Sequence, residues 1–235
     1  MLRDLLPAHW QPVYDQVRFE WRTTIGRWRS KVAPPPYAYL QVGCGDRLLK
    51  GFLNTDVFSN RAADRGVDLR FDLPFPGRCF DLPFPGRCLD GVYAHHVVEH
   101  LSHDHACRFM GEARRVLRAG GTLRIIVPDL AKFARAYCDK PDDLNHSAQL
   151  YPPWHRQDSW STPLEVMDFA FRDSYWNPHL SSWDEHSLRL RLSEAGFDSV
   201  TVCTCGQSRD AMLSGHDNET WEAQSLYVEA YAAAS

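Results

Sequence analysis

The chain lacks any apolar run long enough to span a membrane. Its first ten residues, MLRDLLPAHW, are charged within three positions and hold no apolar core, so no signal peptide is expected. A basic excess is also missing. Twenty-six Lys and Arg stand against 30 Asp and Glu, which gives a net charge of -4 and argues against a nucleic-acid partner. No C-x-x-C occurs among the seven cysteines, an odd and scattered set in which Cys203 and Cys205 alternate along an expected strand. That usage fits reduced thiols and an expected cytoplasmic location. With 44% hydrophobic and 24% charged residues, the 235-residue chain can bury one continuous core, so one domain with an insertion is expected.

Residues 1–36 are expected to form an N-terminal amphipathic helix, centred on 8–31. There Trp10, Val13, Val17, Trp21, Ile25 and Trp28 recur every three or four positions until APPP stops the pattern. From Tyr37 the texture alternates between strands and helices. YAYLQV, GFLNTDV, RGVDLRF and LDGVYA read as four strands, and TLRIIVPDL reads as a fifth that breaks at Pro128. Between the last two, Ser102 is a natural N-cap for a helix with the stripe Ala106, Phe109, Met110, Ala113, Val116 and Leu117, which Gly120 and Gly121 are expected to stop. SWDEHSLRLRLSEAGF reads as a further helix capped by Ser182 or Asp184, and DSVTVCTC and SLYVEAYA as two late strands. The order predicts an α/β fold over 37–235: a Rossmann-like doubly wound sheet, mostly parallel with an antiparallel late strand, and helices on both faces. Residues 131–182 interrupt it with Tyr137, Tyr151, Trp154, Trp160, Tyr175 and Trp176, the composition of an aromatic lid.

FDLPFPGRC occurs twice without a gap, at 71–79 and 80–88. Two copies of nine residues cannot stack as a solenoid, so they read as a local duplication in a surface turn.

The chemistry gathers where strands end. VGCGD follows the first strand, and Gly43 and Gly45 permit a sharp turn and a close approach of backbone to ligand. Asp56 ends the second strand, where a carboxylate suits the two hydroxyls of a ribose. Asp68 and Asp72 flank the end of the third, and Ala94 and His95 end the fourth. AHHVVEHLSHDH then places five histidines in twelve residues, and His96, Glu99 and His100 spell H-x-x-E-H. On a long helix that spelling is half of a zinc-peptidase site, with Glu99 as base and a third ligand such as Glu112. Here it follows a strand directly.

The blocks YLQVGCGDRLLKGFLNTDVF, LPFPGRCLDGVYAHHVVEHL, EARRVLRAGGTLRIIVPDL and SLRLRLSEAGF together resemble class I S-adenosylmethionine-dependent methyltransferases, in their small-molecule branch. The resemblance covers 37–130 well and 184–230 loosely. It implies S-adenosylmethionine as cofactor, with Gly43, Cys44 and Gly45 along its methionine part and Asp56 on its ribose. Asp68 or Asp72 would meet the adenine amino group, Val57 or Phe58 would flank the ring, and Ala94 and His95 would lie near the sulfonium. Gln41 stands where relatives often carry an acid, and it would accept from the cofactor ammonium. Only seven residues separate Gly45 from Leu53, so a loop with one helical turn is expected there instead of a full crossover helix. The implied reaction is methyl transfer to a small-molecule acceptor, at an oxygen, with His96, His100 and His179 as candidate bases and no metal. Tyr93 and Glu99 are weaker candidates. A zinc metallohydrolase built on H-x-x-E-H and a non-catalytic cofactor-binding module are the alternatives. Neither a nucleic-acid nor a membrane partner is expected, and the sequence leaves the oligomeric state open.

Deleting either copy of FDLPFPGRC yields the same polypeptide. That protein is expected to fold and to keep its affinity for S-adenosylhomocysteine, as read by calorimetric titration. A collapsed thermal transition would show that both copies are needed.

Overall fold

The computed structural model describes residues 37–56, 69–70, 82, 84–174 and 177–234. The expected N-terminal helix, the first repeat copy, and Val57, Phe58, Asp68, Asp72, Tyr175 and Trp176 lie outside the described residues.

Four parallel strands open the fold: β1 (Tyr39–Val42), β2 (Phe52–Asp56), β3 (Leu69–Arg70) and β4 (Leu89–His95). Helix α1 (His103–Val116) leads into β5 (Leu117–Pro128), which pairs parallel with β4. After an insertion, helix α5 (Glu185–Glu194) is followed by β8 (Ser199–Cys203) and β9 (Ser225–Tyr231). The sheet order is β3-β2-β1-β4-β5-β9-β8, and β9 runs antiparallel to both neighbours. The chain moves outward from β1 to β3 and then returns to start again at β4. The switch point is therefore the gap between the carboxyl ends of β1 and β4, where open α/β sheets bind ligands.

Alternation along the strands sorts the two faces. Val92 and Ala94 of β4, Leu123, Ile125 and Val127 of β5, and Leu226, Val228 and Ala230 of β9 join the main core under α1 and α5. The α1 stripe behaves as expected, with Ala106, Phe109, Met110, Ala113 and Val116 all fully buried. On the other face Leu49, Phe52, Tyr93, Ile126 and Tyr227 pack against Leu213. Among the described residues this second face is covered by the coil 204–217, not by a helix.

Three local expectations change. The helix stops at Val116, ahead of Gly120 and Gly121, because Cys88 N and Arg87 N take the carbonyls of Val116 and Arg115 and Leu117 pairs with Leu89. Both glycines lie inside β5 instead. Residues 43–51 make two turns without a helical segment. The second repeat copy is not wholly a surface turn: Leu82 and Phe84 are buried in the main core, and Arg115 donates to both of their carbonyls. Asp184 is the cap of α5, in a reciprocal pair with Ser187.

The insertion between β5 and α5 is a helical unit. It comprises α2 (Leu130–Asp139), α3 (Leu144–Ala148), α4 (Pro163–Arg172) and the short hairpin β6 (Asp173–Ser174) and β7 (Asn177–Pro178). Its own apolar cluster holds Leu130, Phe133, Ala148, Tyr151, Val166 and Ala170, with Trp160, Phe169 and Trp221 at the margin.

A buried charge network crosses the coil-covered face. Arg124, opposite Glu229 in register, bonds that residue at 2.8 Å and Asp217 through two donors, with all three side chains out of solvent. Tyr93 and the Gly206 amide also donate to Asp217, at 3.1 and 2.8 Å. Removing one member of such a network strands a buried charge. Asp217→Ala is therefore expected to lose about 3–5 kcal/mol of unfolding free energy in a urea titration. A loss of about 1 kcal/mol or less, as for an exposed pair, would show that the network does not hold the coil.

Candidate active site

The glycines after β1 sit in the left-handed region, Gly43 at φ +63° and Gly45 at φ +52°. A Cβ on Gly43 would meet Val97 Cγ2 at 2.4 Å, so here the β1 loop packs directly on the β4 loop across the switch point. A Cβ on Gly45 would meet nothing within 4 Å, so its backbone borders open space. The Gly45 amide donates to Asp56 Oδ2 at 2.6 Å, and Cys44 N bonds Thr55 O at 3.0 Å. The glycine turn and the end of β2 thus form one unit, with Asp56 only partly buried. Open backbone beside a carboxylate at that place fits a nucleoside with an adjoining chain.

Gln41 is placed differently from the expectation. It is buried, its amide nitrogen donates to Arg47 O at 2.9 Å, and its oxygen accepts from Leu49 N at 3.2 Å. The side chain shapes the 46–49 loop. Ala94 is fully buried with its side chain on the α1 face. His95 points to the opposite face, stacked at 4° on Tyr93. Burial pushes the His95 imidazole down to about 3, the nearby His96 adding to the effect, so it is neutral at physiological pH. The Tyr93 phenol donates to His216 O and Asp217, and burial raises its pKa well above the ordinary tyrosine value. It is a structural group.

Beyond β4 the backbone turns sharply. His96 has φ +52°, a conformation that non-glycine residues adopt at a cost. Its amide is held by Ile126 O at 2.9 Å. The turn Val98–His100 is a single 3-10 turn, and α1 starts only after Ser102, whose hydroxyl accepts from His105 N. H-x-x-E-H is therefore not on an α-helix, and the geometry of a helical zinc-peptidase motif is not formed. Glu112, the candidate third ligand, is engaged by Arg115 and Leu82 N on α1.

The three candidate bases do meet. His96, His100 and His179 line a cavity of about 320 Å³ together with His95, Glu99 and Arg47. Tyr151 and His155 of the insertion close one side, and Asn218, Trp221 and Gln224, which follow the buried Asp217, close another. The rings make a continuous wall, with Trp221 5.8 Å from His96 and 5.1 Å from His155. His179 arrives because Leu180 N and Ser181 N both bond Glu99 O, at 2.8 and 3.1 Å. The His100 and His179 rings lie 5.0 Å apart, edge to face.

Glu99 is the electrostatic centre, 1% exposed. Burial favours its neutral form, but His96, then His100 and His179, outweigh it and hold the carboxyl below the usual range. His96 Nδ1 lies 3.1 Å from Glu99 Oε1, and His96 Nε2 lies 2.9 Å from Ser225 Oγ. Tyr151, His155, Asn218, Trp221, Gln224 and Arg47 were not singled out as site residues from the sequence. Arg47 lies in the block after β1 and Tyr151 in the aromatic insertion; the others come from segments that carry no motif, and only folding brings them together.

Residues 40–125, from β1 into β5, match the family described as a methyltransferase domain. No curated protein matches the sequence. Among solved structures, the chain is similar to a SAM-dependent methyltransferase, possible histamine N-methyltransferase, from Thermotoga maritima. That match has 16% identity over 95% of this chain and 96% of that one, with a TM-score of 0.46. It is similar at the same TM-score to SAM-dependent methyltransferases from Archaeoglobus fulgidus (14% identity, 91% and 94% covered) and Mesorhizobium loti (15%, 88% and 97%). The weight rests on the matched segment and on the doubly wound sheet with its antiparallel late strand. By these, residues 40–125 match a methyltransferase domain, and they lie on a doubly wound sheet with an antiparallel late strand.

Proposed function

We propose that the protein methylates a hydroxyl oxygen of a small molecule held in the histidine-lined cavity. Bound S-adenosylmethionine supplies a methyl group already activated on a sulfonium sulfur. The chain's own work is to position an acceptor, exclude water and take a proton. Gly45 and Asp56 at one side of the switch point are assigned to the cofactor, and Val57, Asp68 and Asp72 are assigned to its adenosine from the resemblance. The cavity beside β4 is assigned to the acceptor. Residues 131–182, as a lid, close it with Tyr151 and His155. The volume, near the lower bound of small-ligand pockets, supports a compact acceptor. Aromatic walls suit a sugar or a flat ring alike.

The observation that carries the oxygen assignment is the His96–Glu99 pair. A hydrogen on Nδ1 facing Glu99 leaves Nε2 with the lone pair, toward Ser225 Oγ. An acceptor hydroxyl in place of the Ser225 contact would pass its proton to Nε2 as its oxygen bonds the methyl carbon, while the carbon–sulfur bond breaks toward sulfur. A nitrogen acceptor in its neutral form needs no such base.

His96→Gln is expected to lower kcat by about a hundredfold or more with cofactor affinity unchanged, measured by methyl release over a panel of hydroxylated small molecules. Methylation confined to amines would sink the oxygen assignment. Asp56→Ala is expected to weaken S-adenosylhomocysteine binding by about tenfold or more, the loss of charge-assisted hydrogen bonds of about 1.5–3 kcal/mol. Unchanged affinity by calorimetry would remove Asp56 from the cofactor site.

A further inference from the structure

Methyl transfer from a sulfonium needs no metal. The cavity floor nevertheless has the composition of a metal centre. We infer that Glu99, His100 and His179 bind one divalent transition-metal ion, with zinc as the reference ion, and that its open coordination positions face the acceptor cavity.

Three independent observations support the site. One ligand atom from each of the three residues lies within 4.8 Å of the others, close enough for a single ion to reach all three. The residues come from two segments far apart in sequence, yet backbone bonds from Leu180 and Ser181 to the Glu99 carbonyl lock them together. A merely adjacent pair of histidines would not need that clamp.

The second observation is Glu99 itself. Its carboxylate is buried; Oε1 faces His96 Nδ1 at 3.1 Å, and Oε2 has no hydrogen-bond partner among the described residues. An ionised carboxylate so placed is costly unless something positive completes it. His96 Nδ1 faces Oε1 at 3.1 Å, which assigns Oε2 to the ion.

The third is how the two ligating imidazoles are held. His179 Nδ1 lies 2.9 Å from Ala170 O and His100 Nδ1 lies 3.3 Å from Pro178 O. A carbonyl only accepts, so each Nδ1 carries its hydrogen and each Nε2 carries the lone pair. Backbone carbonyls hold metal-binding histidines in this tautomer. Two imidazoles and one carboxylate suit zinc, cobalt, manganese or iron better than magnesium or calcium, which prefer all-oxygen sites. A three-residue set leaves positions for water or a substrate oxygen. A hydroxyl held there would lie in the cavity that His96 also lines. This role toward the acceptor rests on the oxygen-methylation assignment, whereas the metal site does not. The site also differs from a zinc peptidase: His179 replaces His96 as a ligand, and Glu99 is a ligand, not the base.

The test is a titration of chelator-treated full-length protein with zinc chloride by calorimetry, and with cobalt chloride by visible absorption. One ion per chain is expected, with cobalt d–d bands that report nitrogen and oxygen ligands. The isosteric Glu99→Gln and the variant His179→Ala are each expected to weaken binding by about a hundredfold, whereas His103→Ala, an exposed ring stacked over the buried Trp183, leaves it unchanged. Absence of saturable binding to the wild-type protein overturns the site even where a variant fails to fold. Equal binding by folded Glu99→Gln and His179→Ala also overturns it. Saturable binding without methyl transfer to any hydroxyl would retain the site and remove the acceptor assignment. Full methyl transfer by protein that binds no metal would do the reverse.

Discussion

The ion pair between Arg124 and Asp217 is the constraint on which much of this structure depends. Arg124 sits in the middle of the sheet with no exposure, so it must be neutralised by residues that reach it. Glu229 does so from the adjacent strand. Asp217 does so from the end of the coil that covers one face of the sheet. Because Asp217 also accepts from Tyr93 and Gly206, and its carbonyl accepts from Arg47 at 3.4 Å, one residue fastens β4, β5, the covering coil and the loop after β1. The next residues, Asn218 to Gln224, form a wall of the cavity. The wall therefore inherits its position from a charge pair outside the cavity.

The second constraint is the doubled hydrogen bond onto the Glu99 carbonyl. It joins the return of the insertion to the turn after β4. The main sheet gives only half of the cavity: His95, His96, Glu99 and His100 come from one strand end. The helical insertion supplies Tyr151, His155 and His179. A substitution that loosened this seam would separate the two sets of imidazoles without altering the sheet. The positive φ at His96 belongs to the same turn, since it allows the chain to reverse from β4 into 98–100.

Much of the fold was legible in the sequence because it rests on local patterns. The apolar stripe of α1, the Ser102 cap, an α5 cap at Ser182 or Asp184 and the two late strands are periodicities and short-range signals. Where local pattern failed, a long-range contact had won. The glycines Gly120 and Gly121 looked like a helix stop, but pairing of Leu117 with Leu89 and the bonds from Arg87 and Cys88 ended the helix earlier. The second repeat copy looked like surface because of its prolines, yet Leu82 and Phe84 fill the core beside α1. Gln41 looked like a cofactor ligand by its place in the motif, and hydrogen bonds to Arg47 and Leu49 turned it to another task.

The sequence by itself determined the class of machine: strands that end in Gly43-Cys44-Gly45, Asp56 and His95-His96, in the order that an open parallel sheet brings to one edge. That was readable because each strand end is a local event and the sheet aligns them by rule. It could name His96, His100 and His179 as candidates, but not that Glu99 would be their shared centre, nor that the rings of His100 and His179 would stand 5.0 Å apart. Those facts depend on backbone bonds between residues about 80 positions apart and on a buried carboxylate whose surroundings exist only after folding. Burial and long-range contact decide the chemistry of such a group, and neither is written in the spacing of residues along a chain.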